Sequence, residues 1–167
     1  MSKIIDWYLD NSLLSDLLII LLIVFCDTIL PEIILFKFDI IVQSNILNSL
    51  IGTSVSLAGF ILAALTIIVS FRSNIACKKP EDAGPPLELI FSTDNYHKII
   101  NVFKSAIIEL TMAFVGLYIV WILSENLTPE HILQANVYGG LLIFLSLVRT
   151  LFILFLVLKM DKKSKNE

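Results

Sequence analysis

Apolar residues fall along the chain in four long runs with polar stretches between them. The runs cover about residues 13–30, 46–71, 105–123 and 133–158. A helix needs about 20 mainly apolar residues to cross the hydrocarbon layer of a bilayer. The pattern therefore predicts an all-α polytopic membrane protein, with four transmembrane helices in a single membrane domain spanning residues 1–167. The first run is the shortest: its charge-free centre, Leu17 to Cys26, lies between Asp16 and Asp27. Pro31-Glu32 then breaks or kinks the helix. The next segment, residues 33–42, carries Lys37 and Asp39 in an otherwise apolar stretch. It is too charged for a span and too apolar for a free loop, so an interfacial or re-entrant piece is expected.

The longest polar segment covers residues 72–104. Pro80 and Gly84-Pro85-Pro86 mark irregular structure, and Ser92-Thr93-Asp94-Asn95 reads as a helix start. Tyr96, Ile99, Ile100 and Phe103 then recur at helical spacing. No breaker separates them from the third run, so one continuous helix of about 30 residues is expected, about 45 Å long. It would extend about 15 Å beyond the bilayer as a stalk. Residues 124–131 form a short turn. At the N-terminus, Trp7 and Tyr8 suit either an interfacial approach helix or a frayed end.

Within the second run, seven small residues alternate in steps of three and four: Ser49, Gly52, Ser56, Gly59, Ala63, Thr66 and Ser70. This is a heptad seam written in small side chains. In lipid, such a seam lets another helix backbone approach closely. The pattern leaves open whether the approaching helix belongs to the same subunit or to a second copy.

Composition agrees with the membrane reading. The chain is 57% hydrophobic and 16% charged, with a mean hydropathy of +0.88, against about 25% charged in ordinary soluble domains. The net charge of −3 gives no footprint for direct nucleic-acid binding. Asp6, Asp10 and Asp16 stand where a cleavable signal peptide carries basic residues, so the first run is expected to be retained. Cys26 lies inside that run and Cys77 in the polar segment, without disulfide or metal spacing.

The basic residues are unevenly placed. With four spans, Lys3, Arg72, Lys78, Lys79, Lys98, Lys104, Lys159, Lys162, Lys163 and Lys165 share one side, and only Lys37 lies on the other. By the positive-inside rule both termini, the stalk and the loop of residues 72–104 are cytoplasmic. The protein is then expected to be a multi-pass membrane protein. Arg72, Lys78, Lys79, Tyr96 and Lys98 form a candidate cytoplasmic docking surface, and the tail is expected to be disordered at its end.

Four ionisable groups lie within the spans: Asp16, Asp27, Glu109 and Arg149. A charge deep in a span costs at least about 2.5–3.5 kcal/mol on insertion scales, so Arg149 needs a partner, water or a route to the headgroups. The sharpest expectation is a Glu109–Arg149 pair between antiparallel third and fourth spans. A pore-lining ring of Arg149 and simple snorkelling are the alternatives. Asp16 and Asp27 are about 20° apart around one helix, so they share a face turned toward protein or water.

No phosphate loop, dinucleotide turn, zinc motif or catalytic constellation is present, so no cofactor, no metal and no enzyme activity are expected. The stretch from Ser56 to Phe71, followed by a polar loop and the stretch from Tyr96 to Ile107, resembles small four-span bacterial membrane proteins of anti-phage systems. The membrane subunit of Kiwa and the membrane accessory of Cas13b-type loci are of this kind. The resemblance covers about 50 residues and carries no active residue over. It implies an oligomeric membrane component, coupled to a cytosolic partner, that senses envelope damage or makes the membrane leak. Three functions remain in view. The first is a homo-oligomeric sensor or scaffold docking a cytosolic effector. The second is a pore that depolarises the cell, and the third is a small transporter.

Overall fold

A computed structural model describes residue 8 and residues 11–29, 39–75 and 95–164. The side chains of residues 12, 27–29, 71–75, 95 and 156–164 lie outside what it describes. The described chain is helical throughout: α1 (Ser12–Ile29), α2 (Ile40–Ile75), α3 (Asn95–Ile122) and α4 (Pro129–Ser164), with a 3-10 turn at Ser124–Asn126 between the last two. Three stretches are long and apolar enough to cross a membrane: Ile40–Ser70, Tyr96–Ile122 and Pro129–Phe155. In α1 the apolar stretch covers only Leu13–Cys26. The protein is therefore an all-helical membrane protein. Lipid offers the backbone no hydrogen bonds, so even β-branched runs such as Thr66-Ile67-Ile68-Val69 must satisfy their amides within a helix.

Helix α3 begins at Asn95 and runs unbroken for 28 residues, as its spacing predicts. Pro129 opens α4 from the first helical position, where its missing amide hydrogen costs nothing. The Thr128 carbonyl accepts hydrogen bonds from the amides of His131 at 3.0 Å and Ile132 at 3.3 Å. The expected turn of residues 124–131 is therefore shorter than predicted. Two further boundaries differ. Helix α2 starts at Ile40 rather than near residue 46 and takes in the end of the segment read as interfacial. No breaker follows Asp39, and Gln43 turns into the bundle, where it is buried. The tail is helical as far as Ser164, because it lacks Gly and Pro and is rich in good helix formers. The expectations for residues 30–38 and for the loop of residues 76–94 lie outside the described residues.

The core belongs to α3. Its residues Tyr96, Ile99, Val102, Phe103, Ala106, Leu110, Ala113 and Leu117 form one buried stripe at three- and four-residue steps. Helices α2 and α4 pack against it, meeting it with Leu47 and Ile61 on one side and Ile132, Ile143 and Ile153 on the other. Helices α3 and α4 are tightly packed at Gly139. A Cβ there would lie 2.6 Å from Leu117 Cδ2, so only glycine lets α4 sit this near α3 without displacing that side chain. Near the end of α3, Phe114, Tyr118 and Trp121 stack at 5.9 and 5.8 Å. Tyr118 and Trp121 remain about two-fifths exposed, as suits rings at a membrane–water boundary.

Helix α1 is peripheral. It touches α3 and α4, yet of its described side chains only Ser15 and Asp16 are buried. Leu14, Leu17, Leu18, Leu21, Leu22 and Phe25 all face outward.

Candidate functional site: a buried three-charge cluster

The buried charged groups of the described bundle converge at one level. Arg149 on α4 directs Nη2 at Glu109 Oε2 on α3, 2.5 Å away, which is the pair expected from the sequence. Its Nη1 donates to Asp16 Oδ2 on α1. The second partner is not foreseen by the sequence reading, which places Asp16 on a common face with Asp27. The Tyr8 hydroxyl donates to Asp16 Oδ1 at 2.7 Å, so Tyr8 turns its polar end inward instead of anchoring at the lipid surface. Asp16, Glu109 and Arg149 are 0, 3 and 2% exposed. The side chain of Asp27 lies outside those described.

Local helix geometry brings these groups together. Ala106 and Ser146 face each other across the α3–α4 contact, with Ser146 Oγ donating to the Ala106 carbonyl at 3.4 Å. Glu109 and Arg149 each stand three residues from that contact, on the inward face of their helix. Because the helices run antiparallel, they lie on opposite sides of it along the axis. The long Arg149 side chain spans this offset of about 9 Å, at 1.5 Å per residue. Asp16 lies near the start of α1, where that helix crosses both. Its position could have been suspected from one fact: Arg149 has two ends to its guanidinium, and one acidic partner occupies only one of them.

The cluster does two things physically. It neutralises a guanidinium that hydrocarbon would otherwise reject, and it fixes α1 to the bundle through Asp16. Taking each charge out of water costs several kcal/mol, so an arrangement of this kind specifies a contact more than it stabilises one. Two atoms of the cluster remain buried without a hydrogen-bond partner among the described residues, Glu109 Oε1 and Arg149 Nε. Tyr8 lies just outside the first helix; burial and the adjacent Asp16 carboxylate push its hydroxyl from an ordinary 10 up to about 12. Among the described residues, no three His, Cys, Asp or Glu side chains gather as metal ligands.

A second polar contact sits nearer the start of α4. Asn136 Nδ2 donates to the Gln43 carbonyl at 3.0 Å, joining α4 to α2 in the buried interior. Neither residue stands out in the sequence, because isolated amides in apolar helices look like boundary residues.

The small-residue seam takes no part in this interior. Ser49, Gly52, Ser56, Gly59, Ala63, Thr66 and Ser70 are all exposed. They lie about 180° around α2 from Ser54, which is fully buried against the bundle. Gly52 and Gly59 have open space where a Cβ would stand. The seam hydroxyls bond back to their own helix: Ser56 Oγ to the Gly52 carbonyl at 2.8 Å, Thr66 Oγ1 to Leu62 at 2.9 Å and Ser70 Oγ to Thr66 at 2.8 Å. The face is thus smooth in shape and quiet in polarity. The candidate docking residues divide. Tyr96 is 3% exposed and belongs to the α3 core, with its ring edge-on to His97 at 5.7 Å, so it is no docking contact. Lys98 is exposed. The side chain of Arg72, and all of Lys78 and Lys79, lie outside the described set. Compared with known proteins, the chain matches no family, no curated protein and no solved structure.

Proposed function

We propose that the protein is a homo-oligomeric scaffold or sensor subunit of a bacterial inner membrane, docking a cytosolic effector in an anti-phage setting. The observation that carries the assembly part is the seam on α2. A seven-residue stripe of small side chains with its hydroxyls internally satisfied faces away from its own bundle, while the opposite face of the same helix does all the packing. Close helix–helix association in lipid rests on just such small-residue faces, and here a second copy is the partner. In the proposed topology α1 also crosses the membrane, as the first of four spans. Its 18 residues reach about 27 Å, both termini are cytoplasmic, and Arg72, Lys78, Lys79 and Lys98 face the effector or anionic lipid. The anti-phage setting rests on the resemblance alone.

The pore reading has less to stand on. Arg149, the residue that would line an anion path, is held by two carboxylates inside one subunit. No described feature favours transport.

The test is the assembly state of Gly59→Leu/Ala63→Leu in mild detergent, measured by mass-resolved size-exclusion chromatography. No described residue lies within 4 Å of a Cβ at Gly59, and Ala63 is exposed, so the bundle tolerates the change. The wild type is expected to be oligomeric and the variant monomeric. An unchanged oligomer means the seam is not the interface. Ion flux from the purified wild type in liposomes would favour the pore.

A further inference from the structure

Asp16 and Glu109 are two carboxylates facing one guanidinium. Asp16 uses both oxygens, accepting from Tyr8 at Oδ1 and from Arg149 at Oδ2. Glu109 uses one. Its Oε2 accepts from Arg149, while Oε1 is buried without a hydrogen-bond partner among the described residues. Among those residues no further charge compensates the cluster. Helix α2 has no titratable side chain from residue 40 to 70. On α3 the nearest charge is Lys104, which is exposed. Helix α4 supplies Arg149, and Asp16 with Tyr8 completes the set.

We propose that Glu109 Oε1 is a proton-binding site, occupied while α1 is docked. With every carboxylate ionised, the cluster would hold one uncompensated negative charge in a space sealed from water, the arrangement buried sites avoid by taking up a proton. The proton is placed on Glu109 because its Oε1 is the carboxylate oxygen of the cluster that receives no donor among the described residues. A proton on Glu109 Oε1 leaves Oε2 free to keep its bond from Arg149 Nη2. The three groups are then neutral overall.

The site is linked to α1. If Asp16 leaves, Glu109 and Arg149 balance each other as an ionised pair, and the extra proton is no longer held. Docking of α1 and uptake of one proton are therefore a single equilibrium. Little else buries α1, since Ser15 and Asp16 are the only buried residues among its described side chains. The docked state carries more protons, so docking weakens as pH rises, by up to about tenfold per pH unit.

The experiment uses the full chain in phospholipid nanodiscs, followed by infrared spectroscopy of the protonated carboxyl C=O stretch at pH 7. The wild type is expected to show a band of about one carboxylic acid per chain, absent from Glu109→Gln and also from Asp16→Asn. Far-ultraviolet dichroism checks that each variant keeps its helices, and if one fails to fold the other carries the test. A wild type without the band, or a band that survives in either folded variant, overturns the proposal. A second readout is the distance between spin labels at Leu22→Cys on α1 and Phe144→Cys on α4, in a background with Cys26 and Cys77 replaced. It should shift with pH in the wild type and stay constant in Glu109→Gln; a pH-independent wild type overturns the link to docking.

Discussion

Replacing Arg149 by methionine separates the charge of the buried cluster from its packing. Methionine keeps a long unbranched side chain, so the volume lost is small, but Asp16 and Glu109 lose their shared counter-charge in a site where they are 0 and 3% exposed. A buried carboxylate without a counter-charge takes up a proton. Starting from an ordinary value near 4, this costs about 4 kcal/mol at pH 7, at about 1.36 kcal/mol per pH unit. The folded variant must hold one proton more than the wild type. Its loss of stability should then be about 4 kcal/mol, within the range of about 3–5 kcal/mol found when one member of a buried pair is removed. Stability has its usual sign here: the folded variant binds the extra proton, so it loses stability as pH rises and regains it as pH falls. The deficit should shrink by about 1.4 kcal/mol per unit between pH 7 and pH 5. Reversible unfolding in mixed micelles, followed by dichroism at three pH values, measures this. The triple variant Asp16→Asn/Glu109→Gln/Arg149→Met, which carries no charge at the site, should recover most of the loss. A deficit that is equal at pH 5 and pH 7, or a triple variant no more stable than Arg149→Met, would refute the electrostatic reasoning and assign the loss to packing.

Other substitutions probe the bundle and the seam separately. Gly139→Leu drives a side chain into Leu117 and should cost about 1–3 kcal/mol of unfolding free energy by overpacking; Gly59→Leu, with open space around it, should leave subunit stability unchanged within about 0.5 kcal/mol. Asn136→Leu removes the bond to the Gln43 carbonyl and should lower stability by about 0.6 kcal/mol, the average for polar contacts between membrane helices, measured by the same unfolding assay. Burial and Asp16 raise the Tyr8 hydroxyl, so ultraviolet titration should show a phenol near 12, and Tyr8→Phe should remove that phase. The docked state holds this proton, so its contribution is complete below about pH 10 and disappears as pH approaches 12.

The helices were legible because lipid leaves the backbone only one local solution. Apolar run length therefore translates almost directly into helix, and the unbroken Asn95–Ile122 helix follows from the absence of any Pro or Gly before Gly116. Helix ends were harder to place. Gln43 and Lys159 look like boundary residues in one dimension, yet helix continues through both. Inside a bundle an amide can be buried, and beyond the bilayer a lysine-rich stretch is still a good helix former. The Glu109–Arg149 pair could be read because antiparallel neighbours joined by a short turn have a defined register. The role of Asp16 could not be read, since α1 is separated from α4 by more than a hundred residues and its place around the bundle depends on packing.

From the sequence alone came the helical membrane class, the existence of a small-residue seam, and a guanidinium in apolar surroundings that needs a partner, water or a route to the headgroups. These follow from composition and period, which are local properties. Which face of α2 packs, and against what, was settled only in three dimensions. The seam that looks like the natural contact stays outside, because the bulkier Leu47 and Ile61 fill the groove beside α3 and leave the smooth face unused. The same holds for the cluster. Its charge imbalance exists only because the tertiary fold brings Asp16 to a pair that was already neutral.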